Sequence, residues 1–218
     1  MPEPVTLVAL GGGLLGLTAH LAKRYFDLAK QVLDVVGATV LLVLCLPLVL
    51  VCMLMIKLSS RGSVLYSQTR VGKDGKLFRM YKLRTMHLGA ELATGAVWAA
   101  ADDPRVVSVC RWMRRSHVDE LPQLVNVIKG EMSLVGPRPE RPEILEKLTM
   151  KWPEVRKRLA VRPGITGLAQ VHNGYDTDVE SFHRKLEYDL EYIAKRRWGM
   201  ELSILVRTLA RLNDKEAH

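Results

Sequence analysis

The stretch Val35–Ile56, VVGATVLLVLCLPLVLVCMLMI, carries no charged residue and decides the architecture of the chain. As one helix rising about 1.5 Å per residue it is long enough to span a hydrocarbon core of about 30 Å. Pro47 lies just past the midpoint of this run. A proline there removes a backbone hydrogen bond and clashes with the carbonyl of Val43, so a kink or break is expected. Lys23, Arg24 and Lys30 precede the run, and Lys57, Arg61, Arg70, Lys73 and Lys76 follow it. Basic residues gather on the cytoplasmic side of membrane segments. A helix that enters, bends at Pro47 and leaves by the same face satisfies both basic flanks. A straight crossing is the alternative, and it has to place one basic flank outside.

The rest of the composition narrows the class. A chain of 218 residues, 48% hydrophobic, suits one domain with a sizeable core. The formal charge of +9 calls for an anionic partner: nucleic acid, an anionic membrane or a nucleotide-sugar. Only 6% of residues are aromatic, and the RNP, zinc-finger and basic-zipper patterns are missing, which argues against nucleic acid. Cys45, Cys52 and Cys110 show no C-x-x-C spacing and read as buried, reduced thiols of a cytoplasm-facing protein. Ahead of the run, Val5 to Ala22 is uncharged but interrupted by Gly11, Gly12, Gly13 and Gly16, and the Pro2-Glu3-Pro4 start is not that of a signal peptide. It forms either a short helix on the membrane or an extension packed on a partner chain, as in a homodimer.

Chemistry is concentrated in Ser116–Pro139, SHVDELPQLVNVIKGEMSLVGPRP. Leu121, Leu124, Val125 and Ile128 make a helical apolar stripe, Pro122 suits a first turn and Gly130 a stop, so Asp119 is expected near an N-cap. Capping alone would explain an aspartate there. The company suggests more. Arg111, Arg114 and Arg115 precede the Asp119-Glu120 pair, and Gly136-Pro137-Arg138-Pro139 follows it. A carboxylate kept charged by nearby guanidinium groups can attack phosphorus, and its acidic neighbour can bind a metal or move a proton. Pro137 and Pro139 stiffen the backbone around Arg138, which suits bidentate phosphate recognition; a rigid turn whose arginine pairs with a carboxylate is the other reading.

Four further segments supply secondary candidates. Ser63–Gln68 and Leu77–Leu83 flank the turn Gly72-Lys73-Asp74-Gly75 and predict a β-hairpin. Lys82 and Arg84, two apart on an extended segment, share one face, where they hold a diphosphate or simply line a solvated strand edge. Asp102-Asp103-Pro104-Arg105 is a phosphate-site candidate through Asp103 and Arg105, or a polar turn with an internal salt bridge. Arg162-Pro163-Gly164-Ile165-Thr166-Gly167 is another stiff turn, and Gln170 after it contacts nucleotide or sugar, or serves the architecture alone. From Val179 to Ala194 and from Leu202 to Leu212, apolar residues recur every three or four positions between charges, giving amphipathic helices that face either the membrane interface or the core. His87, His172 and His183 have no metal spacing.

The run DELPQLVNVIKGEMSLVGPRP resembles the signature of the bacterial sugar transferases, the monotopic phosphoglycosyl transferases that act on polyprenyl phosphate. QTRVGKDGKLF, YKLRTM, DDPRV and VRPGITGLAQV fit the same family pattern in the same order. The resemblance implies a helix-rich α+β fold: a compact cytosolic catalytic domain with a small β-hairpin, anchored by a Pro-broken re-entrant membrane helix and amphipathic interfacial helices. It divides the chain into an N-terminal extension (1–29), a membrane helix-break-helix (30–58) and the catalytic domain (59–218). It also implies transfer of a sugar-1-phosphate from a UDP-sugar to polyprenyl phosphate at the cytoplasmic face of the bacterial inner membrane. In that reaction Asp119 is the nucleophile, Glu120 supplies acid–base or metal work, Arg114 and Arg138 hold phosphates, and Mg2+ sits on Asp119 and Glu120. The chain departs from the family at Leu46, where serine is frequent, at Lys30-Gln31 for Lys-Arg, and at His117-Val118 for Ser-Leu. Two other classes stay open on the residues alone: a membrane-tethered module that binds an anionic ligand, and a non-catalytic scaffold.

Overall fold

The computed structural model describes residues 4–90, 103–172 and 179–212 of the chain, and the architecture is helix-rich α+β. The first element, α1 (Pro4–Ser59), is a single helix that carries Pro47 inside it. The break expected at Pro47 therefore does not end the helix, and no change of element marks residue 30. Lost hydrogen bonding at a proline is local, and contacts on both sides of Pro47 hold the two halves of α1 in place. Among the described residues α1 is the one helix long and apolar enough to cross a membrane.

One narrow stripe of α1 is covered. Lys30, Asp34, Ala38, Leu42, Cys45, Val49, Cys52 and Ile56 follow one another every three or four residues, the spacing of a single helix face, and are buried or half-buried. Most of the remaining surface of the apolar run is bare, with Val43 65%, Leu44 71% and Leu54 59% exposed. A core helix of a soluble protein would not leave such residues open. Before Pro47, Ala38 and Leu42 pack on Phe78, Met80, Leu124, Val127 and Met132. After it, Val49, Cys52 and Ile56 pack on Leu83, Val107, Cys110 and Met113. Both halves of the apolar run rest on one globular body.

That body begins with a hairpin. Strands β1 (Leu65–Val71) and β2 (Leu77–Leu83) pair antiparallel from Leu65 opposite Leu83 to Val71 opposite Leu77. The first strand starts two residues later and ends three later than the alternation predicted, because pairing continues up to a tight turn in which Asp74 (φ 56°) and Gly75 (φ 77°) are left-handed. The short helices α2 (Arg111–Arg115) and α3 (Gln123–Ile128) follow, then β3 (Ser133–Val135) and α4 (Pro142–Lys151). Strand β4 (Gly164–Thr166) pairs parallel with β3, Ser133 opposite Gly164 and Val135 opposite Thr166. Helix α5 (Leu168–His172) leads to α6 (Val179–Lys195) and α7 (Trp198–Leu212).

The two last helices close the core. Phe182 and Leu186 of α6 pack with Leu148 and Val155, while Tyr192 and Ile204 pack with Val135, Val161 and Val171. Helix α7 begins at Trp198, four residues earlier than the apolar pattern suggests. It buries one stripe and leaves another open: Trp198, Leu202, Val206 and Leu209 are 45–66% exposed. Trp198 also meets Phe26 of α1 at 4.7 Å between ring centroids, and Arg196 pairs with Asp27, so the open faces of α1 and α7 adjoin.

Candidate active site

Asp119 and Glu120 do not cap a helix. They lie in a 3-10 turn, Val118–Glu120, entered through His117 in the left-handed region (φ 55°). Helix α3 starts after Pro122, and the amides of Leu124 and Val125 already donate to the carbonyls of Leu121 and Pro122. These two first-turn donors are satisfied by backbone and no side-chain cap bond is made, so the Asp119 carboxylate does not serve as a cap. Val118 and Leu121, on either side of the acid pair, pack on the cluster that holds Val49, Cys52 and Ile56 of α1. The pair is thereby fixed against the second half of the apolar helix.

The two acids have different surroundings. Glu120 Oε1 accepts from Lys82 Nζ at 2.7 Å, and the Arg138 guanidinium grips both oxygens, Nη1 to Oε2 at 3.1 Å and Nη2 to Oε1 at 2.5 Å. Burial works against the Glu120 charge, but Arg138 and Lys82 overrule it and hold its carboxyl well below the usual range. Lys82 is pulled below its ordinary value by burial, with Glu120 opposing. The Asp119 carboxylate makes no hydrogen bond among the described residues. Burial and the neighbouring Glu120 charge push it up to about 6, while Lys82, Arg114 and Arg138 pull the other way. Among the described residues, then, Asp119 carries a carboxylate with no hydrogen-bond partner, set among the charges of Lys82, Arg114 and Arg138.

Arg138 owes its aim to its main chain. Four consecutive carbonyls are tied down: Pro137 accepts from Gly164 N–H, Arg138 from Arg158 Nη2, Pro139 from Arg70 Nη1 and Glu140 from Val71 N–H, at 2.9–3.0 Å. Three glycines allow the approach. A Cβ on Gly136 would meet the Arg162 carbonyl at 2.5 Å, one on Gly164 the Gly136 nitrogen at 2.1 Å, and one on Gly167 the Gly136 carbonyl at 2.3 Å. Of the two readings of the Gly-Pro-Arg-Pro turn, the structure shows the rigid turn whose arginine pairs with a carboxylate, and that carboxylate is Glu120.

The sequence matches the family described as Bacterial sugar transferase over residues 25–215. This chain belongs to that family. It is 43% identical over 188 residues to the UDP-glucose:undecaprenyl-phosphate glucose-1-phosphate transferase of Caulobacter vibrioides, covering 85% of this chain and 70% of that one. It is 39% identical over 193 residues to the UDP-N-acetylgalactosamine-undecaprenyl-phosphate N-acetylgalactosaminephosphotransferase of Aeromonas hydrophila, covering 88% of this chain and 45% of that one. With the UDP-glucose:undecaprenyl-phosphate glucose-1-phosphate transferase of Escherichia coli the identity is 41% over 182 residues, 82% of this chain and 38% of the relative. The chain thus spans less than half the length of two of these three relatives.

In this sugar transferase the other candidate residues are placed as follows. Arg114 stands on α2, close enough for its charge to act on both Asp119 and Asp103. Asp103 forms the internal salt bridge of a polar turn: Arg105 donates from Nε at 2.8 Å and from Nη2 at 2.5 Å, and these bonds, against burial, hold Asp103 down to about 2. Asp102 lies outside the described residues. Arg84 lies one residue past the end of β2 and reaches away from Lys82, donating to the carbonyl of Arg61 at 2.7 Å and the hydroxyl of Ser60 at 2.8 Å, where a cation suits the C-terminal end of α1. Gln170 donates to the Ile165 carbonyl at 2.8 Å, and its own carbonyl accepts from Arg211, so its contacts serve the β4 region.

Several contributors carried no readable signal. Arg70 appears in sequence only as one more basic residue after the apolar run, yet its guanidinium holds Pro139, and burial pulls it down to about 10. Asn126, fully buried, accepts from the Tyr81 amide and donates to the Arg79 carbonyl and to Glu131, wiring β2 to α3. Among the described residues no three of His, Cys, Asp and Glu gather to hold a metal. Mg2+ commonly takes one or two carboxylates and completes its shell with substrate phosphates and water. Asp119, with Glu120 beside it, fits a metal that arrives with a diphosphate.

Proposed function

We propose that this transferase moves a sugar-1-phosphate from a UDP-sugar to undecaprenyl phosphate in two steps through Asp119, releasing UMP. The observation that carries the reading is the division within the acid pair: Glu120 holds Lys82 and Arg138, and Asp119 is left unbound beside them. An Asp119 oxygen forms a bond to the sugar-bearing phosphorus as the bond from that phosphorus to the bridging oxygen breaks, and UMP leaves with the electron pair. An oxygen of undecaprenyl phosphate then attacks the same phosphorus, and the Asp119 carboxylate departs unchanged. Arg138 and Lys82, kept in place by Glu120, neutralise phosphate oxygens in both steps. Mg2+ held by the acid pair and the donor diphosphate would supply further neutralisation of the leaving group. The three relatives named above are described as acting on glucose or N-acetylgalactosamine donors, so the class of donor is a UDP-hexose or N-acetylhexosamine.

A lipid acceptor requires a site at headgroup depth, which sets α1 in the cytoplasmic leaflet as a re-entrant element. Support comes from the packing of Ala38 and of Ile56 on the same body, together with the bare faces of α1 and α7. A straight crossing would drag the polar surface of the domain into hydrocarbon, where each unpaired backbone group costs several kcal/mol. The test uses a panel of UDP-sugars with radiolabelled sugar and no lipid. Label should attach to the protein, be chased off by undecaprenyl phosphate, and be lost in Asp119→Asn. No attachment with any donor, or turnover by Asp119→Asn, refutes the covalent route. No UMP release at all returns the chain to a binding module or scaffold.

A further inference from the structure

We infer that Arg158 is a positioning residue for transfer: it holds the main chain at Arg138 from behind and so keeps the Arg138 fork aimed at Glu120. The inference rests on the reading of Arg138 and Glu120 as part of the transfer site. Arg158 is almost wholly enclosed, its side chain 4% exposed, in the 3-10 stretch Pro153–Ala160. Its guanidinium works in three directions. Nε donates to Asp189 Oδ2 of α6 at 2.8 Å, Nη1 lies 3.6 Å from Glu140 Oε1, and Nη2 donates to the Arg138 carbonyl at 2.9 Å. The ring of Phe182, two turns before Asp189 on α6, lies 5.5 Å from the guanidinium carbon. With Lys185, also buried, the group balances two cations against Glu140 and Asp189.

Such a cluster is a poor way to gain stability, because apolar side chains of similar volume fill a core at lower desolvation cost. Its geometry serves another end. One arm is anchored on α6 and one reaches the main chain of the residue whose side chain grips Glu120, so α6 is connected to the acid pair through the Arg138 carbonyl. Proline on each side of Arg138 removes local freedom, and Arg158 sets where the stiffened loop stands.

The test is a double-mutant cycle. Arg158→Met combined with Asp189→Asn removes both buried charges together, which avoids stranding Asp189, and is made in the wild-type and Arg138→Ala backgrounds. The readout is kcat/KM for UMP release per folded protein, with folding checked by thermal melting. Expected is a loss of about tenfold or more in the wild-type background and less than about twofold in the Arg138→Ala background, since a residue acting through Arg138 has nothing left to position. The acid limb of the pH profile should also move upward in the wild-type background as Arg138 loosens from the pair. Equal losses in both backgrounds with an unmoved pH profile overturn the proposal and leave Arg158 a folding residue. If Arg138→Ala by itself leaves the rate intact, the reading of the transfer site fails instead. Should the paired variant not fold, Arg158→Lys keeps the charge beside Asp189, is too short to reach the Arg138 carbonyl as well, and is read by the same criteria.

Discussion

Arg138 meets Glu120 with both terminal nitrogens, one on each carboxylate oxygen, and Lys82 shares the closer oxygen. A planar fork on a planar carboxylate fixes orientation as well as charge. Arg138→Lys therefore keeps the cation and loses the geometry. We expect kcat/KM for UMP release to fall by roughly 100-fold, the scale of losing one well-aimed donor at a reacting oxyanion. Glu120→Gln, which frees Lys82 and Arg138 to wander, should cost at least as much. An Arg138→Lys enzyme within about twofold of wild type would show that charge alone suffices.

Asp119 titrates near 6, against an ordinary value of 3.8, because it is buried beside Glu120. As the proposed nucleophile Asp119 must be ionised, so the label-forming step should slow as pH drops below about 6. The stability consequence has a definite sign. Between 3.8 and about 6 the folded chain holds this proton more tightly than the unfolded one, so stability is lost as pH rises through that window and stays lost above it. Asp119→Asn should raise the melting temperature at about pH 7.5, with the gain shrinking below about pH 6 and absent near pH 4. Melting curves across that range check it, and a variant less stable than wild type at the alkaline end would contradict it.

Gly164 and Gly199 make opposite forecasts for the same change. A Cβ at Gly164 would stand 2.1 Å from the Gly136 nitrogen, so Gly164→Ala must push β4 away from the loop that carries Arg138. Loss of at least about 3 kcal/mol, or failure to fold, is expected, since backbone cannot yield as a flexible side chain does. At Gly199, in the first turn of α7, a Cβ meets nothing within 4 Å. Gly199→Ala should be neutral or stabilising by about 0.5–1 kcal/mol. Denaturant titration of the two variants separates them.

Topology can be read from two exposed basic positions that bracket the apolar run. In a background without Cys45, Cys52 and Cys110, Arg24→Cys and Arg61→Cys are treated with a membrane-impermeant thiol reagent in spheroplasts. Neither should react until the membrane is opened, when both should. Labelling of one flank in intact spheroplasts would mean that α1 crosses the bilayer.

Much of this molecule could be read from local pattern. The uncharged run around Pro47, the hairpin about Asp74 and the amphipathic stretches that became α6 and α7 depend on period, turn chemistry and proline, which act over a few residues. The family motifs likewise brought Asp119, Glu120, Arg114, Lys82 and Arg138 to attention, and the structure gathers them. Asp119 as a helix cap was a local expectation that failed for a local reason: the left-handed His117 and the tight turn after it satisfy the backbone donors without a side chain. Lys82 and Arg84 show the limit of strand geometry, since β2 ends between them: Lys82 inside the strand turns to Glu120, and Arg84 just past it turns to the end of α1.

What the chain determined alone was the identity of the groups: an acid pair, stiff arginine-bearing turns and an apolar helix with basic flanks. Which acid holds the cations and which stays free was decided only when β2 and the Arg138 loop converged on Glu120 from 38 and 18 residues away. The roles of Arg70 and Arg158 arose the same way, from carbonyls 69 and 20 residues distant. Electrostatic roles depend on separations of a few ångströms and on the exclusion of water, and those are properties of packing that no spacing along the chain contains.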